Sequence, residues 1–234
     1  MSERMTLDSA DPWLLHFTHI DNLPGIITGG LRPDSHKSPG VRECGQPRIK
    51  ERRHARVVPV PPGGVVADYA PFYFAPRSPM LRSILGGQVG VYDSDQTHLV
   101  YLVTRLSQVT RQRLTWVASD RNAVLGTAKF TSDARTLADH IDWEIMRARY
   151  WGNTDSDGSR RERRMAELLV HGTVPWTTFS HVGVCCAERS GEAADLLTDS
   201  SSKIIVRPGW YFDVPGSCAC HGIVTWGGGD LDDR

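Results

Sequence analysis

Six residues, His98-Leu99-Val100-Tyr101-Leu102-Val103, say more about this chain's architecture than any others: they form the clearest buried strand, and the fold has to supply a sheet to hold it. A second strand is read at Trp13-Leu14-Leu15-His16-Phe17-Thr18, whose alternation puts His16 and Thr18 on one face. Asp21 is read as the N-cap of a short helix over 22–28, stopped by Gly29-Gly30. Residues 33–47 read as a polar surface loop leading into a helical segment around 48–56. Residues 69–81 read as a short aromatic strand whose prolines confine it to an edge or a strand end. Around residues 121–125 the pattern is mixed, and a helix is expected over 137–150. A flexible polar loop follows at 151–159, leading to a short helix or strand that ends in Glu167-Leu168-Leu169-Val170. Strands at 181–186 and 203–206, with a helix at 192–197 between them, complete the series. This irregular alternation predicts an α+β fold. There is no fixed-period repeat, no heptad pattern and no glycine signature of a Rossmann or P-loop site.

At 234 residues the chain is read as one domain, and 40% apolar with 23% charged residues is the composition of a folded, soluble protein. No segment approaches the ~20 apolar residues of a membrane span, and residues 1–10 lack the apolar core of a signal peptide, so a cytoplasmic, prokaryotic location and no membrane partner are expected. The 5 cysteines do not suit a disulfide framework and are read as reduced thiols. Cys218, Cys220 and His221 form the one compact metal-like cluster, but Cys-x-Cys departs from zinc-ligand spacing and no metal is expected.

The net charge of zero argues against a uniformly basic nucleic-acid-binding face, yet cations are concentrated at Arg48-Ile49-Lys50-Glu51-Arg52-Arg53-His54-Ala55-Arg56 and at Arg160-Arg161-Glu162-Arg163-Arg164. On charge alone these runs are either solvated helix faces or the walls of a basic groove. Glu167, between the second run and an apolar segment, is either a surface charge or a carboxylate facing a site, where it would stabilise an oxocarbenium-like state. Arg53 is either a solvated helix arginine or a pyrophosphate clamp. His16 is either a structural strand-end histidine or a ligand contact.

Taken together, several strings resemble the DarT family over about residues 15–212: His16-Phe17-Thr18-His19-Ile20-Asp21-Asn22-Leu23 with Gly25-Ile26; Glu51-Arg52-Arg53; Asp68-Tyr69 with Pro71-Phe72-Tyr73-Phe74 and Pro76-Arg77-Ser78-Pro79-Met80-Leu81; Ala166-Glu167-Leu168-Leu169-Val170 with Val174-Pro175-Trp176; and Arg207-Pro208-Gly209-Trp210-Tyr211-Phe212. The resemblance implies an ADP-ribosyltransferase-like α+β fold with a split, mostly antiparallel β-sheet core and surrounding helices. It implies a domain over 1–212, with a C-terminal tail at 213–234 that has no counterpart. Carried over residue by residue, it implies that Glu167 and Arg53 are catalytic, that His16, Phe17, Thr18, Gly25, Leu31 and Arg53 contact NAD as co-substrate, and that the product is ADP-ribosylated thymine in single-stranded DNA. It further implies a toxin restrained by a macrodomain antitoxin resembling DarG. Arg77, Met80 and Arg121 are the candidates for a DNA groove. Two alternatives stay open on the sequence: an ADP-ribosyltransferase acting on RNA or protein, and a catalytically silent nucleic-acid-binding module.

Overall fold

The computed structural model describes residues 5, 8–37, 39–87, 92, 96–197 and 202–212. Eight strands form one sheet in the order β5-β4-β6-β2-β1-β3-β7-β8. In chain order these are β1 (Trp13–His19), β2 (Tyr69–Tyr73), β3 (Leu99–Arg105), β4 (Trp116–Ser119), β5 (Phe130–Thr131), β6 (Glu167–His171), β7 (His181–Val184) and β8 (Lys203–Val206). Every pairing is antiparallel except β7 with β8. The helices are α1 (Leu23–Gly29), α2 (Pro47–Ala55), α3 (Pro79–Leu85), α4 (Leu106–Arg111), α5 (Leu137–His140), α6 (Trp143–Arg147), α7 (Arg160–Arg163) and α8 (Ala187–Leu196).

The apolar run at 98–103 becomes β3, held between β1 and β7 and buried on both faces. Its alternate residues feed two cores. Val100 and Leu102 join Leu14, Phe72 and Leu168 under α1, α4, α6 and α8, whereas Leu99, Tyr101 and Val103 join Trp13, Leu15 and Trp210 under α3. Burial on both sides explains why the run shows no polar alternation.

The sheet is continuous in order but nearly split in its middle. Strands β1 and β3 match at every residue from Trp13 with Arg105 to His19 with Leu99, while β1 and β2 meet in register only at Leu15 with Tyr73. Beyond that point the strands part, and the opening faces α1 and α2. Pro71 sits on the parted side of β2, where no ladder bond requires the N–H it lacks, and its carbonyl is taken by the His16 ring instead. The proline rule therefore holds locally, although β2 is an interior strand and not an edge.

Four expectations from the sequence are corrected. The strand expected over 69–81 stops at Tyr73, and the chain re-forms as α3, with Ser78 capping the Leu81 amide. The helix expected over 137–150 breaks at Ile141, because Asp142 leaves helical geometry to cap a new helix through the Ile145 amide. Asp21 does not cap α1; instead the His19 ring accepts from the Asp21 amide, opening a 3-10 turn over Ile20–Asn22. The loop at 151–159, read as flexible, is tied down: Asp157 pairs with Arg163 at 2.7 Å, and Arg160 donates to the carbonyls of Tyr150 and Gly152. Among the described residues, no helix is long and apolar enough to cross a membrane.

Candidate active site

Glu167 is the first residue of β6, and the sheet register places it between Tyr73 of β2 and Ser119 of β4. It is only 2% exposed, so the surface-charge reading fails. A buried carboxylate needs a partner, and Arg53 supplies it from α2, its Nη1 donating to Glu167 Oε2 at 2.9 Å. The other guanidinium nitrogen, Nη2, donates to the carbonyls of Val66 and Tyr69, while Nε lies 3.5 Å from Asp34 Oδ2. Both readings of the α2 charge run thus hold, for different residues: Arg48, Glu51 and Arg52 are exposed, while Arg53 is buried. Burial alone would favour a neutral guanidine, but the Glu167 and Asp34 carboxylates outweigh it and hold Arg53 above its ordinary pKa.

Asp34, in the 3-10 turn Asp34–His36, accepts from Lys37 at 2.9 Å and lies 3.6 Å from Lys50. Burial pushes its carboxyl up, and the surrounding Lys37, Arg53 and Lys50 more than reverse this, leaving it below the usual carboxylate range. Glu43 closes the cluster by pairing with Lys37 and Lys50.

On β1, His16 Nδ1 must carry its proton, since it lies 2.8 Å from the Pro71 carbonyl, which can only accept. Burial brings the His16 pKa down to about 4, helped by Lys37 and Arg53, so the ring is neutral at physiological pH. Phe17 stacks on Tyr73 with centroids 6.1 Å apart. The Thr18 hydroxyl accepts from Asn22 Nδ2, and Asn22 also exchanges two hydrogen bonds with the Arg42 backbone, which pins residues 39–46 beside β1.

These groups line one cleft of about 290 Å³ at the β1/β2 opening: His16, Phe17, Thr18, Gly25, Leu31, Arg53 and Glu167 all contribute. Gly25 has open space where a side chain would stand, and Leu31 is fixed by a two-way backbone bridge to Val174. The three candidates for a DNA groove are dispersed. Met80 lines the cleft, Arg77 lies over the Phe212 ring, and Arg121 is held by Asp120 and does not line the cleft.

Sequence reasoning missed Asp34, Lys37, Lys50, Asn122, Met165 and Tyr73 as lining residues. Lys50 was within reach, since it stands three positions before Arg53 on the same helix face. Asp34 and Lys37 had no periodic signal, sitting in a segment that reads as surface loop. Cys218, Cys220 and His221 lie outside the described residues; among the described residues, no group of three His, Cys, Asp or Glu side chains is placed to share a metal ion.

Residues 15–212 match the family described as ssDNA thymidine ADP-ribosyltransferase, DarT. The chain belongs to the DarT family. It is 39% identical over 208 residues to the DNA ADP-ribosyl transferase of Mycobacterium tuberculosis, covering 86% of this chain and 89% of that protein. Thermus sp. 2.9 DarT, solved in complex with ADP-ribosylated ssDNA, superposes with a TM-score of 0.82 at 34% identity over 90% of this chain and all of that one (100%). The same Thermus protein in complex with NAD+ superposes with a TM-score of 0.77 at 33% identity, over 86% of this chain and 98% of that one. A more distant relative, 24% identical over 85% of this chain and 49% of its own length, is a DNA ADP-ribosyl transferase–DNA ADP-ribosyl glycohydrolase fusion protein of Thermosipho africanus. The expected α+β, ADP-ribosyltransferase-like fold is thereby established, and in this DarT protein the nearly split sheet and the buried Arg53–Glu167 pair occupy one place.

Proposed function

We propose that this DarT protein uses NAD+ to ADP-ribosylate thymine in single-stranded DNA. The observation that carries the reading is the Arg53–Glu167 pair, buried at 2.9 Å in a cleft that also holds a neutral histidine, a stacked aromatic pair and a lysine cluster. The composition of the cleft suits NAD+: Lys37, Lys50 and Arg53 offer cations to a pyrophosphate, and Phe17 and Tyr73 offer an aromatic wall to a nicotinamide ring. His16, with Nδ1 committed to Pro71, presents Nε2 as an acceptor.

In the reaction, the bond between nicotinamide nitrogen and ribose C1′ breaks and its electron pair leaves with nicotinamide. A bond forms from a thymine ring nitrogen to C1′, and the proton on that nitrogen passes to solvent water. Glu167 stabilises the positive charge that develops on the ribose and fixes a ribose hydroxyl. Arg53, held charged between two carboxylates, assists proton loss by stabilising the thymine anion, not by acting as a neutral base.

The reading extends to a growth-arresting toxin restrained by a macrodomain partner resembling DarG, supported by the Thermosipho protein that carries transferase and glycohydrolase in one chain. Such an enzyme acts where chromosomal DNA and NAD+ are, the prokaryotic cytoplasm. The catalytic domain is taken as 1–212, with 213–234 a tail outside the described residues.

The test is incubation with labelled NAD+ and single-stranded oligonucleotides that differ at one base. Label should enter thymine-containing strands only, and Glu167→Ala, assayed below its own melting temperature with its fold checked by circular dichroism, should lower the rate by at least about 100-fold. NAD+ consumption with no labelled DNA would move the acceptor to RNA or protein.

A further inference from the structure

Two segments that lie close in the chain to cleft residues Met80 and Met165 carry a feature that the reaction chemistry does not use. Tyr150 is 76% exposed, an unusual position for a large aromatic side chain, and the Arg149 guanidinium lies 5.3 Å from its ring centre. Next along the chain, Trp151 meets the edge of Phe212 at 6.4 Å, and Phe212 in turn lies under Arg77 at 4.9 Å and Arg82 at 5.4 Å. Arg149, Tyr150, Trp151, Phe212, Arg77 and Arg82 therefore form one strip, three aromatic rings in the middle with a cation at one end and two at the other. Among the described residues, Arg149 and Arg82 form no ion pair.

Both ends of the strip are joined to the cleft. Arg77 stands three residues before Met80, a cleft residue of α3. The Tyr150 end is bolted to α7 by Arg160, which donates to the carbonyls of Tyr150 and Gly152 at 2.8 and 3.0 Å. Arg164 adds bonds to the carbonyls of Ile145, Met146 and Pro76, joining the two segments to each other. From α7 the chain runs directly into Met165 and Glu167, which also line the cleft. The strip is thus held in fixed relation to the reacting carboxylate.

We infer that this strip binds the stretch of single-stranded DNA flanking the target thymine. A flanking base stacks on the open face of Tyr150, and Arg77, Arg82 and Arg149 meet the phosphates. Aromatic rings flanked by guanidinium groups are the chemistry that holds a single strand without reading its sequence. A neutral protein that binds DNA needs its cations concentrated in one such path. The inference rests on the reading of the cleft as a thymine-modifying site.

The test compares wild type, Tyr150→Ala, Tyr150→Phe and the double variant Arg82→Gln/Arg149→Gln. Each is assayed with a thymine oligonucleotide of ten or more nucleotides and with one trimmed to the target and its immediate neighbours. Because Tyr150 is exposed, its substitution leaves the core intact. Tyr150→Ala should raise KM for the long oligonucleotide by about 10-fold, Tyr150→Phe should restore it, and KM for NAD+ should stay unchanged. The trimmed oligonucleotide should not distinguish the variants. The double variant should flatten the slope of log affinity for DNA against log salt by roughly 0.7 for each phosphate that it no longer neutralises. If wild type modifies the long strand and Tyr150→Ala matches it in KM, the strip has no such role while the thymine reading stands. If wild type consumes NAD+ and labels no DNA, both fall together.

Discussion

At the scale of single residues, the cleft sets charged and neutral groups side by side through what each one touches. Arg53 stays charged because two carboxylates face it, whereas His16, buried, tied to a carbonyl and opposed by the charges of Lys37 and Arg53, stays neutral. This has a consequence for stability. As pH falls below 6.5 the unfolded chain binds a proton at His16, while the folded chain binds none there until about pH 4. Stability present above pH 6.5 is therefore lost through that window. Urea midpoints measured at about pH 7 and about pH 5 should fall further for wild type than for His16→Gln, and an equal fall in both would show that His16 does not couple to folding. The sequence disclosed little of this arrangement: Arg53 and Glu167 stand 114 positions apart, and family resemblance was what first joined them. Asp34 escaped notice because an isolated acid in a polar loop looks like any solvated charge; its burial arises only when α2 folds over it.

At the scale of elements, what could be read in advance was what the chain encodes locally. β1 and β3 are legible as apolar runs, and α1 by the glycines at its end, with Gly30 taking the positive φ of 77° that stops it. β4 was missed because Trp116–Ser119 is too short to display a period, and its strand state comes from the register that β6 imposes. The closing segment is fixed by packing of a similarly non-local kind. A side chain on Gly183 of β7 would stand 2.6 Å from the Trp210 ring, which is itself fully buried and edge-on to Tyr101 at 5.4 Å. Trp210 has no room to withdraw. Gly183→Ala should therefore destabilise by about 1–3 kcal/mol and lower the melting temperature by roughly 3–10 °C in calorimetry; an unchanged transition would mean that the ring shifts freely.

At the scale of the whole molecule, the cleft draws His16, Phe17 and Thr18 from one side of the sheet opening and Tyr73 and Glu167 from the other. A ligand bridging them binds only the folded chain, so NAD+ at about 100 times its Kd should stabilise by roughly 2.7 kcal/mol, seen as a melting temperature higher by roughly 5–10 °C. No shift at saturating NAD+ would mean that the cleft is not its site. The opening itself, with its single matched pair at Leu15 and Tyr73, carries an evolutionary consequence. The backbone passes from one side to the other between β1 and β2, returns between β2 and β3, crosses again between β3 and β4, and returns for good between β6 and β7. The two sides are interwoven like clasped fingers, so neither is a module that recombination can exchange as a contiguous stretch of gene. New acceptor preferences in this lineage therefore arise by changes within one chain whose two sides are inherited as a unit, not by exchange of either side.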